Sequence, residues 1–146
     1  MSFNCYALSP DHEKMNHALE ISGLPMIIGE YHFGTVDRGL AQSLWQVNSQ
    51  KERGDAFQYY TENAFAHRGL IGTGWFRWID QNINGRTDGE NYNCGFIDVT
   101  DRPYPYMVDA AIEAAKSLYE IHSGTKTPFH QAPNAVGHSP IPDLWE

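Results

Sequence analysis

Residues 25–33 read Pro25-Met-Ile-Ile-Gly-Glu30-Tyr-His-Phe33, a continuous apolar run that turns polar only at its end. A strand with one solvated face alternates polar and apolar residues. A run without alternation predicts a strand buried on both faces, as in parallel sheets. Glu30 interrupts that reading, because a carboxylate following Met26-Ile27-Ile28-Gly29 is costly in a core unless it is partnered.

Working outward toward the N-terminus, the apolar and aromatic stretch Ser2 to Leu8 predicts a short strand, broken by Ser9-Pro10. Asp11 is placed to cap a helix whose Met15, Ala18, Leu19 and Ser22 recur at helical spacing, and Gly23 and Pro25 stop it. Toward the C-terminus, a loop spans Gly34 to about Asn48, and Ser49-Gln-Lys-Glu52 forms a capping box. The helix it opens runs to about Ala66 with Ala56, Phe57, Tyr60 and Ala64 inward. Leu70 to Ile79 reads as a third strand, followed by polar Asp80-Gln81 and a long loop from Asn82 to Tyr104. Pro105 suits the first turn of a helix reaching about His122, with Val108, Ala111, Ile112, Ala115, Leu118 and Tyr119 on one face.

Strand and helix therefore alternate three times, the pattern of an α/β fold with a parallel sheet. The expected organisation is one α/β domain over residues 1–122 and an irregular tail over 123–146, where Pro128, Pro133, Pro140 and Pro142 fall. Three parallel strands leave two open edges and a half-covered face, which predicts a homodimer or larger assembly that closes the sheet.

Composition narrows the partners. The 146 residues carry 10 Lys+Arg against 18 Asp+Glu, a net charge of -8, so neither nucleic acid nor an anionic membrane is an expected partner. No apolar run approaches the roughly 20 residues of a spanning helix. The start, Met1-Ser2-Phe3-Asn4-Cys5-Tyr6, has no basic segment followed by an apolar one, so a cytoplasmic location is expected. Cys5 and Cys94 make neither a disulfide framework nor a metal pair and read as reduced, structural residues. His12-Glu13 and His17 miss the zincin spacing, so neither metal nor other cofactor is expected.

In parallel α/β folds the working residues collect where strands end and loops begin. Asn4 and Tyr6 lie near the first such end, Glu30 and His32 at the second, and Trp75, Trp78, Asp80 and Gln81 at the third. Glu30 is either a functional carboxylate or a buried one tied by an Arg. The tryptophans are either core or stacking faces for sugar rings, with planar polar neighbours for the hydroxyls.

Pro25-Met-Ile-Ile-Gly-Glu-Tyr-His-Phe-Gly-Thr-Val-Asp-Arg-Gly39 resembles the penultimate-strand signature of the β-agarase and β-galactosidase-like glycoside hydrolases, retaining enzymes built on (β/α)8 barrels. Gln50-Lys-Glu-Arg53, Gly72-Thr-Gly-Trp-Phe-Arg-Trp-Ile-Asp-Gln81, Gly85-Arg-Thr-Asp-Gly-Glu-Asn-Tyr-Asn93 and Gly95-Phe-Ile-Asp-Val-Thr-Asp-Arg-Pro-Tyr104 continue the likeness in order. Phe3-Asn4-Cys5-Tyr6 resembles the strand before. The likeness covers roughly residues 2–121. It implies a partial, half TIM barrel made of the last three βα units. It further implies a carbohydrate substrate, a β-galactoside, agar-like or related β-linked glycan, with Glu30 as the nucleophile. Trp75 corresponds to the sugar-platform Trp of the last strand, and Asp80, Gln81, Arg86, Glu90 and Asn91 to the polar loop after it, whose expected work is substrate binding or bracing that loop. His32 and Arg38, inside the nucleophile motif, are expected either to bind substrate or to hold Glu30.

The retaining mechanism needs a second carboxyl about 5–5.5 Å from the first. In these enzymes it follows an Asn at the end of the fourth strand, a motif this sequence lacks. Glu90 or Asp80 from the last loop, or a carboxylate from a second subunit, is the expected substitute. The alternative is a non-catalytic carbohydrate-binding relic, with sugar held by Trp75 and Trp78. An esterase is disfavoured because no Gly-x-Ser-x-Gly elbow occurs.

Overall fold

The computed structural model describes residues 1–138. Its elements run β1 (Ser2–Asn4), α1 (His12–Ser22), β2 (Met26–Tyr31), β3 (Trp45–Gln46), α2 (Gln50–Phe65), β4 (Leu70–Trp75), α3 (Pro105–His122) and β5 (Val136–Gly137). β1, β2 and β4 form one parallel sheet in that order, with β2 central. Asn4 pairs with Glu30 across β1 and β2, and Tyr31 with Trp75 across β2 and β4. The polar ends of all three strands thus meet at one end of the sheet.

Local chemistry sets the helices. Asp11 accepts from the Glu13 and Lys14 amides at the start of α1, and Gly23 closes it at φ 62°, a left-handed conformation that costs glycine little. Ser49 accepts from the Glu52 amide at the start of α2, and Glu52 reaches back to the Asn48 amide at 2.8 Å. Pro105 opens α3, where its missing N–H leaves no bond unmade.

Met26 and Ile28 of β2 are fully buried against the helix side, with Met15, Tyr31, Phe33, Val47, Ala56, Tyr60, Ala64 and Leu70. Ile27, on the opposite side, is 41% exposed. The run therefore reads as a strand suited to two covered faces, one of which is open among the described residues. β4 pairs only with β2 and β1 only with β2, so both outer edges are open among the described residues.

Three expectations change. The first and third strands end at Asn4 and Trp75, earlier than Leu8 and Ile79. The buried stripe of α3 is Met107, Ala110, Ala114, Ser117 and Ile121, while Ile112 and Tyr119 of the predicted face are 49% and 91% exposed. Small residues win because α3 lies close to α2: a Cβ on Gly54 would sit 2.4 Å from the Tyr106 carbonyl. The more apolar face is left lining a groove of about 290 Å³ with Phe57, Phe65, Thr73, Ala111, Ala115 and Leu118.

Finally, the predicted loop and tail pair with each other, β3 antiparallel to β5. Within 123–138 the chain is tied to the body by the Phe129 amide on Glu62 (2.7 Å) and by Ala135 packed on the core. Pro140 and Pro142 lie outside the described residues.

Candidate functional site

The site is built at the polar end of the sheet. Glu30 is half-buried on the central strand, and its Oε2 accepts the Tyr6 hydroxyl at 2.7 Å. Among the described residues nothing hydrogen-bonds Oε1. Burial first, then the Glu30 hydrogen bond, raises the Tyr6 pKa well above that of a free phenol. Tyr6 therefore stays a donor at any physiological pH. Its backbone carbonyl takes the Trp45 indole N–H at 2.8 Å. Asn4, exposed on β1, lies across from Glu30, and Gly29 makes room for it: a Cβ there would meet Asn4 Oδ1 at 2.9 Å.

His32 stands behind this pair and is 2% exposed. Its Nδ1 lies 3.1 Å from the Phe76 carbonyl, and its Nε2 accepts the Leu44 amide at 3.2 Å. A carbonyl only accepts, so Nδ1 carries the hydrogen and the ring is neutral. Burial lowers its pKa to about 3. Both nitrogens are taken, so His32 presents neither to a ligand. Its ring is edge-on to Tyr6 at 4.9 Å and to Tyr92 at 5.8 Å.

A second carboxylate approaches from the loop after β4. Glu90 Oε2 accepts from Gln81 Nε2 at 2.7 Å and is 3.2 Å from Arg86. Its charge is also a minor cause of the raised Tyr6 pKa. Gln81, fully buried, holds both ends of this loop, since its Oε1 accepts the Tyr92 amide at 2.7 Å. Arg86 additionally pairs with Asp88 at 2.6 Å. Asn91 accepts the Ala41 amide on its carbonyl and joins the two loops.

Other residues expected at the site are placed elsewhere. Asp80 is 3% exposed and accepts from Asn93, the Gly95 amide (2.6 Å) and the Tyr104 hydroxyl (2.6 Å). With its lone pairs engaged, Asp80 has the geometry of a brace, one of the two roles expected for it. Arg53, fully buried, completes the same network through Gln50, Asn93 and the Phe33 and Gly95 carbonyls, and lies over the Tyr104 ring. Asp80 and Arg53 make no direct ion pair; Asn93, Gly95 and Tyr104 link them within one buried network. Arg38 is exposed, pairs with Asp37 at 3.8 Å and lies over Tyr104, on the side of this brace.

Trp75 packs toward the helices rather than standing free at the strand end. Its indole N–H donates to the Cys94 carbonyl at 2.7 Å, and its ring packs edge-on against Tyr31, Phe57 and Phe96 on the helix side. Phe76, the next residue, contacts the His32 ring at 5.8 Å instead. Trp78 stacks on Phe96 and is 66% exposed, so one broad face is open. Phe76, Tyr92 and Leu44 are the residues of this region that sequence reasoning missed. Only the aromatic character of the first two signalled them.

No protein-family model matches the chain. Beta-agarase A of Vibrio sp. (strain JT0107) is 40% identical over 126 residues, which cover 82% of this chain and 13% of that protein. Beta-agarase B of the same organism is 37% identical over the same extent. Among solved structures, an exo-beta-agarase superposes with a TM-score of 0.79 at 38% identity, covering 85% of this chain and 17% of that one. The chain therefore spans about an eighth of the length of the curated relatives it matches. Over 82% of its own length, this chain is homologous to a segment of the beta-agarases.

Proposed function

We propose that the chain carries the nucleophile side of a retaining glycoside hydrolase site for agar-like β-linked galactans, built as three consecutive βα units of a (β/α)8 barrel. The observation that carries this reading is Glu30 itself. It sits at the C-terminal end of the central parallel strand, held by one donor on Oε2 with Oε1 open. Homology to beta-agarases supports the substrate class.

In this reading Oε1 attacks the anomeric carbon while the glycosidic bond breaks and its oxygen takes a proton from a second carboxyl. Water, deprotonated by that same carboxyl, then releases the sugar and restores Glu30. Tyr6 orients the attacking carboxylate. Asn4, Asn91 and Arg86 are placed to meet hydroxyls, and the open face of Trp78 to stack on a ring. Glu90 already accepts from Gln81 and Arg86, which suits an acceptor for sugar hydroxyls better than a proton donor. The acid is then supplied from beyond these three units, which on their own act without it.

Hydrolysis of aryl β-galactosides tests this. An absent general acid forfeits about 10²–10⁴-fold. Turnover should therefore be slow with a poor leaving group, recover with dinitrophenolate, and vanish in Glu30→Gln. Retention of a galactan oligosaccharide without turnover of either substrate would instead establish a non-catalytic binding module.

A further inference from the structure

The geometry points to His32 as a positioning residue for Glu30, acting as a neutral double clamp that fixes Tyr6. This deepens the proposed reading of Glu30 and rests on it for its catalytic meaning. Three observations carry it.

First, the two ring nitrogens of His32 join separate segments: Nδ1 donates to the Phe76 carbonyl just past β4, and Nε2 accepts the Leu44 amide from the loop after β2. Neither contact tolerates a second ring proton or the other tautomer. Second, the ring so fixed lies edge-on to Tyr6 at 4.9 Å, while Tyr92 and Phe76 close on it at 5.8 Å each. Third, Trp45, the neighbour of Leu44, donates its indole N–H to the Tyr6 carbonyl. One loop therefore holds His32 through Leu44 and Tyr6 through Trp45. Tyr6 has its backbone and ring set by this assembly, and its hydroxyl passes the constraint to Glu30 Oε2 at 2.7 Å.

No carboxylate hydrogen-bonds the ring; burial and the nearby Arg53 charge oppose a second proton and outweigh the Phe76 carbonyl, which favours it. A buried histidine satisfied by packing alone would need only the shape of the ring. A clamp needs one donor and one acceptor in those places. Gln offers both, through its side-chain N–H and its carbonyl oxygen, whereas Phe offers neither.

The test is proton NMR of the whole chain near neutral pH, following the Tyr6 hydroxyl proton, assigned by its loss in Tyr6→Phe. The signal is expected in the wild type and in His32→Gln, and is expected to disappear into water exchange in His32→Phe. Survival of the signal in folded His32→Phe would overturn the proposal. So would its loss in both variants, since Gln restores the donor and the acceptor on which the clamp depends. Because removal of a buried ring can unfold the chain, imidazole ¹⁵N shifts of the wild type provide a second measurement. A neutral Nδ1–H ring unchanged from pH 8 to pH 5 is expected; a charged or Nε2–H ring would overturn it. Neither measurement uses turnover, so an inactive chain with an intact clamp would defeat the catalytic reading and leave this one standing.

Discussion

Two carboxylates at the same end of the sheet have opposite fates. Asp80 lies under 3% exposure with Asn93, Gly95 and Tyr104 donating to it and Arg53 nearby in the same network. Glu30 has one donor, Tyr6, and an open oxygen. A saturated carboxylate has nothing left to offer a substrate, and its removal strands the groups around it. An under-partnered one at the mouth of a sheet adds little to stability and retains its reactivity. Full burial among donors and half-burial beside a single Tyr thus separate the brace from the carboxylate we propose as the nucleophile.

That contrast predicts which changes unfold the chain and which only silence it. The largest effect is expected at Arg53→Leu, which leaves the buried Phe33, Gln50, Asn93 and Gly95 oxygens without their Arg53 donors. Each buried polar group left unsatisfied costs about 1–3 kcal/mol. The urea midpoint should show most of the chain's stability gone. Trp75→Ala should cost a similar amount, about 3–5 kcal/mol for a large packed aromatic. The same truncation at Trp78 should stay within about 0.5 kcal/mol, while weakening retention on a galactan column. Equal losses at the two tryptophans would erase the distinction between core and platform.

Acid should sharpen the comparison next. Burial lowers the pKa of His32 to about 3 and, with His12, Arg68 and His122 nearby, lowers that of His67. The unfolded chain therefore binds protons that the folded one refuses. Stability is full above the unfolded histidine pKa of about 6.5 and declines as pH falls below it, by up to about 1.4 kcal/mol per pH unit for each extra proton. His67→Gln should flatten the slope of urea midpoint against pH between 6.5 and 5. The smallest effect belongs to the site itself: Tyr6→Phe should cost about 1 kcal/mol, far less than Arg53→Leu.

Much of this was legible before any coordinates. The run Met26–Tyr31, the caps at Asp11 and Ser49 and the stop at Gly23 are local signals, and each element they announce is present. Glu30 stood out because a carboxylate contradicts its apolar surroundings. What was hidden depends on partners far away in sequence. β3 and β5 are two residues each and exist only by pairing across some ninety positions. The family likeness puts Trp75 at the pocket, but register shifts between β2 and β4 set it beside Tyr31 on the helix side. In a strand a shift of one residue exchanges faces. The apolar stripe of α3 was real but faces the open groove, because Ala110, Ala114 and Ser117 permit the closer contact with α2.

The most direct test of the central claim is covalent trapping with an activated 2-deoxy-2-fluoro-β-galactoside bearing a dinitrophenolate leaving group. Such a reagent needs no general acid to form the glycosyl-enzyme, so it examines Glu30 separately from the question of the second carboxyl. Intact-mass and peptide analysis should find one fluorosugar per chain, on the peptide containing Glu30, and none on Glu30→Gln. No adduct on the folded wild type, or an adduct elsewhere that persists in Glu30→Gln, would contradict the account.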